Sequence, residues 1–460
     1  MRRTTRGGRP FKRLRPLPGI LALILAAGGA VTVSAAVPSR ESEMDALLRR
    51  ITQLEEALSD QQKLIQELQS RLGLAEPERP PVKDEPPPTT ELTLVSSASG
   101  RNFLNLALDG LVSAGTSTES DLSGLQLGSH DPSRRGFTVQ NVEAVLSGAV
   151  DPYFTAQANI VFVESPVGET EIEIEEIFAT TTSLPRNLQV KAGHFFTEFG
   201  RLNSQHPHSW DFVDQPLSHG RMFGSDNLRS SGARVSWLMP APFYSELFFA
   251  VQNAFGETLN GFGFVEGETL FGRTLVDRSV DELSDLLYVP RYSASVDLTG
   301  NQTLLVGASA ALGPNGTGDD GRTSLYGVDL FWKWKSPRAH QGFPFVKLQA
   351  EGMKRRYRAD DPLGVEIFED WGVYGQVVWG FRRGWALGAR YDRIGGDEDG
   401  PPDPALEDRW RAAANVTWYP TEYSKLRLQY NHDARSFFED ADSLWLQFEF
   451  ILGAHASHKF

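Results

Sequence analysis

SLWLQFEFILGAHASHKF, residues 443–460, decides how the rest of the chain is read. Leu444, Leu446, Phe448, Phe450, Leu452, Ala454 and Ala456 fall at strict period two. Gln447, Glu449, Gly453, His455 and Ser457 take alternate positions. Successive side chains of a strand point to opposite faces, so this stretch has one apolar and one wet side. The edge strand of a soluble sandwich would show the same local pattern. The decision therefore rests on what lies before it.

Working back, the alternation recurs. Leu426, Leu428 and Tyr430 alternate with Lys425, Arg427, Gln429 and Asn431. Ala412, Ala414, Val416 and Trp418 alternate with Arg411, Asn415 and Thr417, and the pattern extends back to Leu104, Leu106 and Leu108. It predicts sixteen strands, near 102–113, 136–150, 153–164, 171–182, 187–198, 229–239, 243–253, 289–299, 302–313, 323–335, 343–356, 368–382, 385–392, 409–419, 423–433 and 443–460. Links from even to odd strands are short, such as Asp151-Pro152, Gly300-Asn301 and Arg383-Gly384. Links from odd to even strands are mostly long: 114–135, 199–228, 254–288, 357–367 and 393–408. Short turns on one rim and long loops on the other characterise outer-membrane barrels, whereas a sandwich has no reason to sort loop length by parity. Trp237, Phe243, Trp385, Trp410, Trp418, Tyr419 and Phe460 stand near strand ends, where interfacial aromatic girdles form.

The 460-residue chain is 40% hydrophobic with 43 glycines, and its mean hydropathy is −0.31, which excludes a bundle of membrane helices. It has no cysteine, so disulfides and thiolate metal sites are excluded. Formal charge is −14. Removal of a basic leader leaves roughly −21, which argues against a nucleic-acid partner. No Gly-x-Ser-x-Gly elbow and no phosphate-cradling glycine loop before a helix is present, so the expectation is no enzyme and no cofactor.

Residues 1–36 read as a signal peptide: a basic start, an apolar run from Ile20 to Val33, and Ser34-Ala35-Ala36. Residues 41–75 carry heptads, with Met44, Ile51, Leu58, Ile65 and Leu72 at a, and Leu47, Leu54, Gln61, Leu68 and Ala75 at d. Such spacing predicts an α-helical coiled coil, here periplasmic, that makes a homotrimer or touches the cell wall. Residues 76–100 form a Pro-rich linker, stiffened by Pro86-Pro87-Pro88, and residues 101–460 the barrel. The expected fold is all-β: a 16-stranded antiparallel transmembrane β-barrel with an N-terminal α-helical coiled coil, surrounded by outer-membrane lipid.

A last strand ending on phenylalanine resembles the assembly signal of Gram-negative outer-membrane barrels. Residues 171–201 resemble the phosphate-selective porin-like family of the porin O and P type. The matching residues are Ile174-Glu175-Glu176-Ile177-Phe178-Ala179, then Lys191-Ala192-Gly193-His194-Phe195-Phe196-Thr197-Glu198-Phe199-Gly200-Arg201. The resemblance implies a sixteen-stranded trimeric porin. The barrel region departs from the family in having seven lysines, at 191, 333, 335, 347, 354, 425 and 459, with no lysine ladder.

The link 199–228 is the third odd-to-even link and holds Arg201, His206, His208, Asp211, Asp214, His219 and Arg221 among aromatic residues. Folded into the lumen, it would form the pore constriction and set solute size and charge preference. His206-x-His208-x-x-Asp211-x-x-Asp214 also offers imidazole and carboxylate ligands for a divalent cation, although the spacing matches no strict zinc motif. Lys191, Lys347, Glu351, Arg390, Arg411, Lys425 and Arg427 are expected to face the lumen as a charged ladder. The function expected is passive diffusion of small hydrophilic solutes or ions across the outer membrane. The alternatives are a metal-linked receptor or transporter and an envelope tether with a closed barrel.

Overall fold

The computed structural model describes residues 93–96, 102–149, 151–164, 170–254, 262, 269–276, 279–362, 364–396 and 406–453. The signal peptide, the heptad segment 41–75, the linker apart from 93–96, and residues 454–460 lie outside the described residues.

Sixteen strands form the wall. They are β1 (Phe103–Ser117), β2 (Gly136–Ala149), β3 (Phe154–Glu164), β4 (Thr170–Thr181), β5 (Leu188–Phe196), β6 (Arg229–Leu238), β7 (Tyr244–Asn253) and β8 (Leu286–Thr299). Next come β9 (Gln302–Pro314), β10 (Arg322–His340), β11 (Phe343–Asp361), β12 (Gly364–Arg382), β13 (Trp385–Gly396), β14 (Arg409–Thr421), β15 (Ser424–Arg435) and β16 (Ala441–Gly453). Each pairs antiparallel with its neighbours in sequence. The sheet closes where β16 meets β1, from Ser443 opposite Ser117 to Gly453 opposite Ala107. Closure removes both sheet edges, so the wall's backbone groups pair with one another.

The sequence explains which face points where. On β16, Leu444, Leu446, Phe448 and Leu452 are exposed outward, while Trp445, Gln447, Glu449 and Ile451 are buried inward. On β15, Leu428 and Tyr430 face out, and Lys425, Arg427, Gln429 and Asn431 face in. An apolar outside around a polar inside inverts the layout of a soluble barrel and suits a hydrocarbon solvent. At the short-turn rim Trp385 stacks on Trp418, with ring centroids 6.0 Å apart.

The sequence places all sixteen strands, but two spans differ from expectation. Residues 357–367 do not form a long loop. Strands β11 and β12 run on to a tight turn, with Asp361 opposite Gly364. Lys354 pairs with Glu369 at the base of this extension at 2.5 Å, and Tyr357 and Phe368 pack around Phe271. The acidic, proline-bearing tip Asp360-Asp361-Pro362 interrupts the alternation, which resumes with outward Val365 and Ile367, and this is why the stretch reads as loop. Within the expected linker, Thr93–Ser96 forms a short strand antiparallel to the start of β1.

Apart from register shifts close to the turns, β-bulges interrupt two strands of the wall, β2 and β4. Gln140 is an extra residue in β2 against β1, between partners Val139 and Asn141. Glu175 is an extra residue in β4 against β3, between Ile174 and Glu176. A bulge flips the phase of the side chains beyond it. Ile174 and Ile177 therefore both face out, while the adjacent Glu175 and Glu176 both face in.

Candidate functional site: a loop strapped across the lumen

The segment 197–228 between β5 and β6 folds inside the barrel. Phe199, Asn203, Trp210, Phe212, Asp214, Leu217, His219, Met222 and Phe223 are all buried. It starts with a tight turn at Gly200, whose φ of +60° is costly for side-chain-bearing residues and whose Cβ would lie 2.1 Å from Glu351. That turn aims three successive N–H groups at the wall. Gly200 donates to Ser309 Oγ at 3.1 Å, and Arg201 and Leu202 donate to the Glu351 carboxylate at 3.0 and 2.9 Å. Phe199, Met222, Phe223 and Leu228 then join Leu287, Val289, Leu325 and Met353 in an apolar cluster on β8 to β11. At about 1.5–3 kcal/mol for each large side chain buried, this cluster is a strong anchor.

The second anchor is ionic. Asp214 accepts from Arg390 at 2.9 Å, Arg411 at 2.7 Å, Gln429 at 2.8 Å and Asn431 at 2.7 Å. Asp211 pairs with Lys347 at 2.6 Å. Lys425 and Arg427 donate to the carbonyls of His208 and Trp210 at 2.6 and 2.9 Å. Burial would raise both loop carboxyls, but Arg390 and Arg411 outweigh it for Asp214, and Lys347 does so for Asp211. Each is held below the usual aspartate value of 3.8.

The third anchor is a cluster of imidazoles and carboxylates against β2 and β4. His206 Nδ1 lies 2.9 Å from Glu175 Oε2 and 3.2 Å from Glu143 Oε1. Its Nε2 lies 2.9 Å from Glu176. His208 Nδ1 is 3.4 Å from Glu143, and its ring stacks on that of His206 with centroids 5.8 Å apart. His130, from the loop 118–135, reaches Glu175 at 3.3 Å. Burial would depress the His206 imidazole, but Glu143 and Glu175 hold it well above the usual range.

The expected constriction residues thus share one loop but not one role. His219 packs edge-on against Phe223 and Tyr374, and burial takes it down to about 3, so it is a neutral packing group. Arg221 lines a cavity of about 410 Å³ under the long-loop rim, together with Arg355, Glu407 and Arg409. Arg201 lies over the Phe331 ring at 3.8 Å.

Two expectations are corrected. The set His206, His208, Asp211 and Asp214 does not converge, because basic residues of β11, β13 and β14 capture the two aspartates. The group able to hold a cation among the described residues is Glu143, Glu175 and His206. The inward-facing residues Glu351, Arg390, Arg411, Lys425 and Arg427 are no free ladder either. They are buried and bound to the loop, while Lys191 and Lys347 keep partial exposure. Sequence reading passed over Glu143, Glu175, Glu176 and His130 as site residues. One signal was present: in Ile172-Glu173-Ile174-Glu175-Glu176-Ile177 the isoleucines change phase, which marks a bulge with two inward carboxylates.

No family model matches the chain. An uncharacterized protein of Aquifex aeolicus (strain VF5) is 36% identical over 355 residues, spanning 71% of this chain and 71% of the relative. The chain belongs to that protein's family. Among solved structures, the outer membrane channel DcaP of Acinetobacter baumannii superposes with a TM-score of 0.55 at 13% identity. The match covers 78% of this chain and 99% of DcaP. Salmonella typhi OmpF, solved with daunomycin, gives a TM-score of 0.46 at 10% identity, over 78% of this chain and 100% of OmpF. The DcaP likeness bears on architecture alone, and it agrees that the family member described here is a closed antiparallel barrel of sixteen strands.

Proposed function

We propose that this chain is an outer-membrane porin. Small hydrophilic solutes or ions would diffuse passively through a lumen narrowed by the loop 197–228. The observation that carries the reading is the apolar exterior around a polar interior that holds an inward-folded loop. The phosphate-selective specialisation is not part of the proposal, because the basic lumen residues are engaged by the loop rather than arrayed for a solute. The deep burial of that loop favours a second reading, a barrel shut at rest. Purified barrels in planar bilayers separate the two. A steady ohmic current is expected; a membrane that stays silent after verified insertion would leave only the closed tether. The reversal potential in a salt gradient would then give the ion preference.

The porin reading includes a homotrimer, with the coiled coil 41–75 as a periplasmic stalk. Supporting it, Gly148, Ala156, Ala158, Ala179 and Ala192 leave an external groove of about 590 Å³ on β2 to β5, which a neighbouring barrel can fill. Cross-linking in mild detergent is expected to trap three chains. Monomer alone at every cross-linker concentration would remove the trimer from the proposal.

A further inference from the structure

We infer that Glu143, Glu175 and His206 form a binding site for a divalent transition-metal cation of the zinc class, which clamps the loop 197–228 to the β2–β4 wall. Three observations meet there. First, the donor atoms converge. His206 Nδ1 sits 2.9 and 3.2 Å from oxygens of Glu175 and Glu143, and one ligand atom from each of the three residues lies within 4.8 Å of the others. Ligands about 2.1 Å from a shared ion stand about 3.0–3.4 Å apart in octahedral or tetrahedral arrangements.

Second, the contact is a close ion pair rather than an aligned hydrogen bond. Glu175 Oε2 and His206 Nδ1 are both buried and neither has a hydrogen-bond partner, although they touch. Glu175 is 2% exposed, and its bulge turns it inward. Two donors that meet without lining up a proton between them are placed to face a common third point.

Third, the groups behind the ligands are those that orient metal ligands. Glu176 holds the far nitrogen of His206 at 2.9 Å, a carboxylate–imidazole arrangement that fixes the ring and directs Nδ1 at an ion. Asn159 donates to Glu143, and His130 engages the other oxygen of Glu175. Three carboxylates meet the single ligating imidazole, a donor set of net negative charge that a bound dication would neutralise in place of the proton on His206. One nitrogen and two oxygen donors suit zinc, manganese or ferrous ions better than magnesium or calcium, which prefer oxygen alone.

The inference does not depend on conduction: a silent barrel that binds zinc would sink the porin reading and leave this one standing. The test is calorimetric titration of chelator-stripped, detergent-folded full chain with zinc at pH 8, where protons compete less for the imidazole. One zinc per barrel is expected, with magnesium giving no heat. E175Q and H206A should each weaken binding at least tenfold, while H219A should match the parent chain. No zinc uptake, or uptake that survives both E175Q and H206A, overturns the site. Should those variants fail to fold, X-ray absorption of the zinc-loaded parent decides. One imidazole with carboxylate oxygens supports the site, and any shell without carboxylates overturns it.

Discussion

Asp214→Ala should open the lumen. The substitution removes a carboxylate that accepts four hydrogen bonds from β13, β14 and β15. Charged hydrogen bonds contribute about 1.5–3 kcal/mol each, so the loop's bound-to-free ratio should fall tenfold or more. The wall itself should survive. Arg390 keeps Asp392 at 2.7 Å and Arg411 keeps Asp433 at 2.9 Å, so neither guanidinium is left as a bare buried charge. The expected result is higher single-channel conductance, with protease cleavage inside 197–228 and an unchanged folded band on unheated gels. Equal conductance and equal loop protection would show that Asp214 does not hold the strap.

Acid should act in the same direction. The Asp214 carboxyl lies below 3.8 in the folded protein, so its anchoring is fully present above that value and is lost as pH falls through the lowered one. Conductance should rise reversibly below about pH 4, and Asp214→Asn should abolish that share of the rise.

The second large effect concerns the outer face. Leu446 is 48% exposed near the middle of β16, beside Leu444, Phe448 and Leu428. Leu446→Arg should cost about 2–4 kcal/mol of folding stability in lipid, the penalty for a guanidinium near the bilayer midplane. Glu439→Arg, in the exposed link before β16, should stay within about 0.5 kcal/mol. Urea titrations of vesicle-folded protein read the difference. Equal stabilities would place the Leu446 face in water and remove the membrane from the account.

The wall was legible because period-two alternation and the parity of link lengths are local signals. Leu428 and Leu446 outward, against Arg427 and Gln447 inward, could be read without knowing any partner. The extension of β11 and β12 was not legible, since Asp360-Asp361-Pro362 breaks the pattern at the tip, although Val365 and Ile367 alternate outward on the return. The inward fold of the loop could be read from its aromatic and charged content, but the destinations of its side chains could not. Whether Asp214 meets His206 or Arg411 depends on which strand stands opposite in a closed ring, and Arg411 lies 197 residues further along the chain. The cation cluster lay hidden for the same reason, being drawn from β2, β4 and a loop.

The unpaired residue in β4 also gives this wall a reading frame. Strict alternation on either side of Glu175 is counted in opposite phase, so deleting that single residue would restore an unbroken ladder with Ile172, Ile174 and Ile177 still toward lipid and Glu173 and Glu176 still inward. What such a deletion removes is the second inward carboxylate: a regular strand shows one side chain to the lumen where this one shows Glu175 and Glu176 side by side.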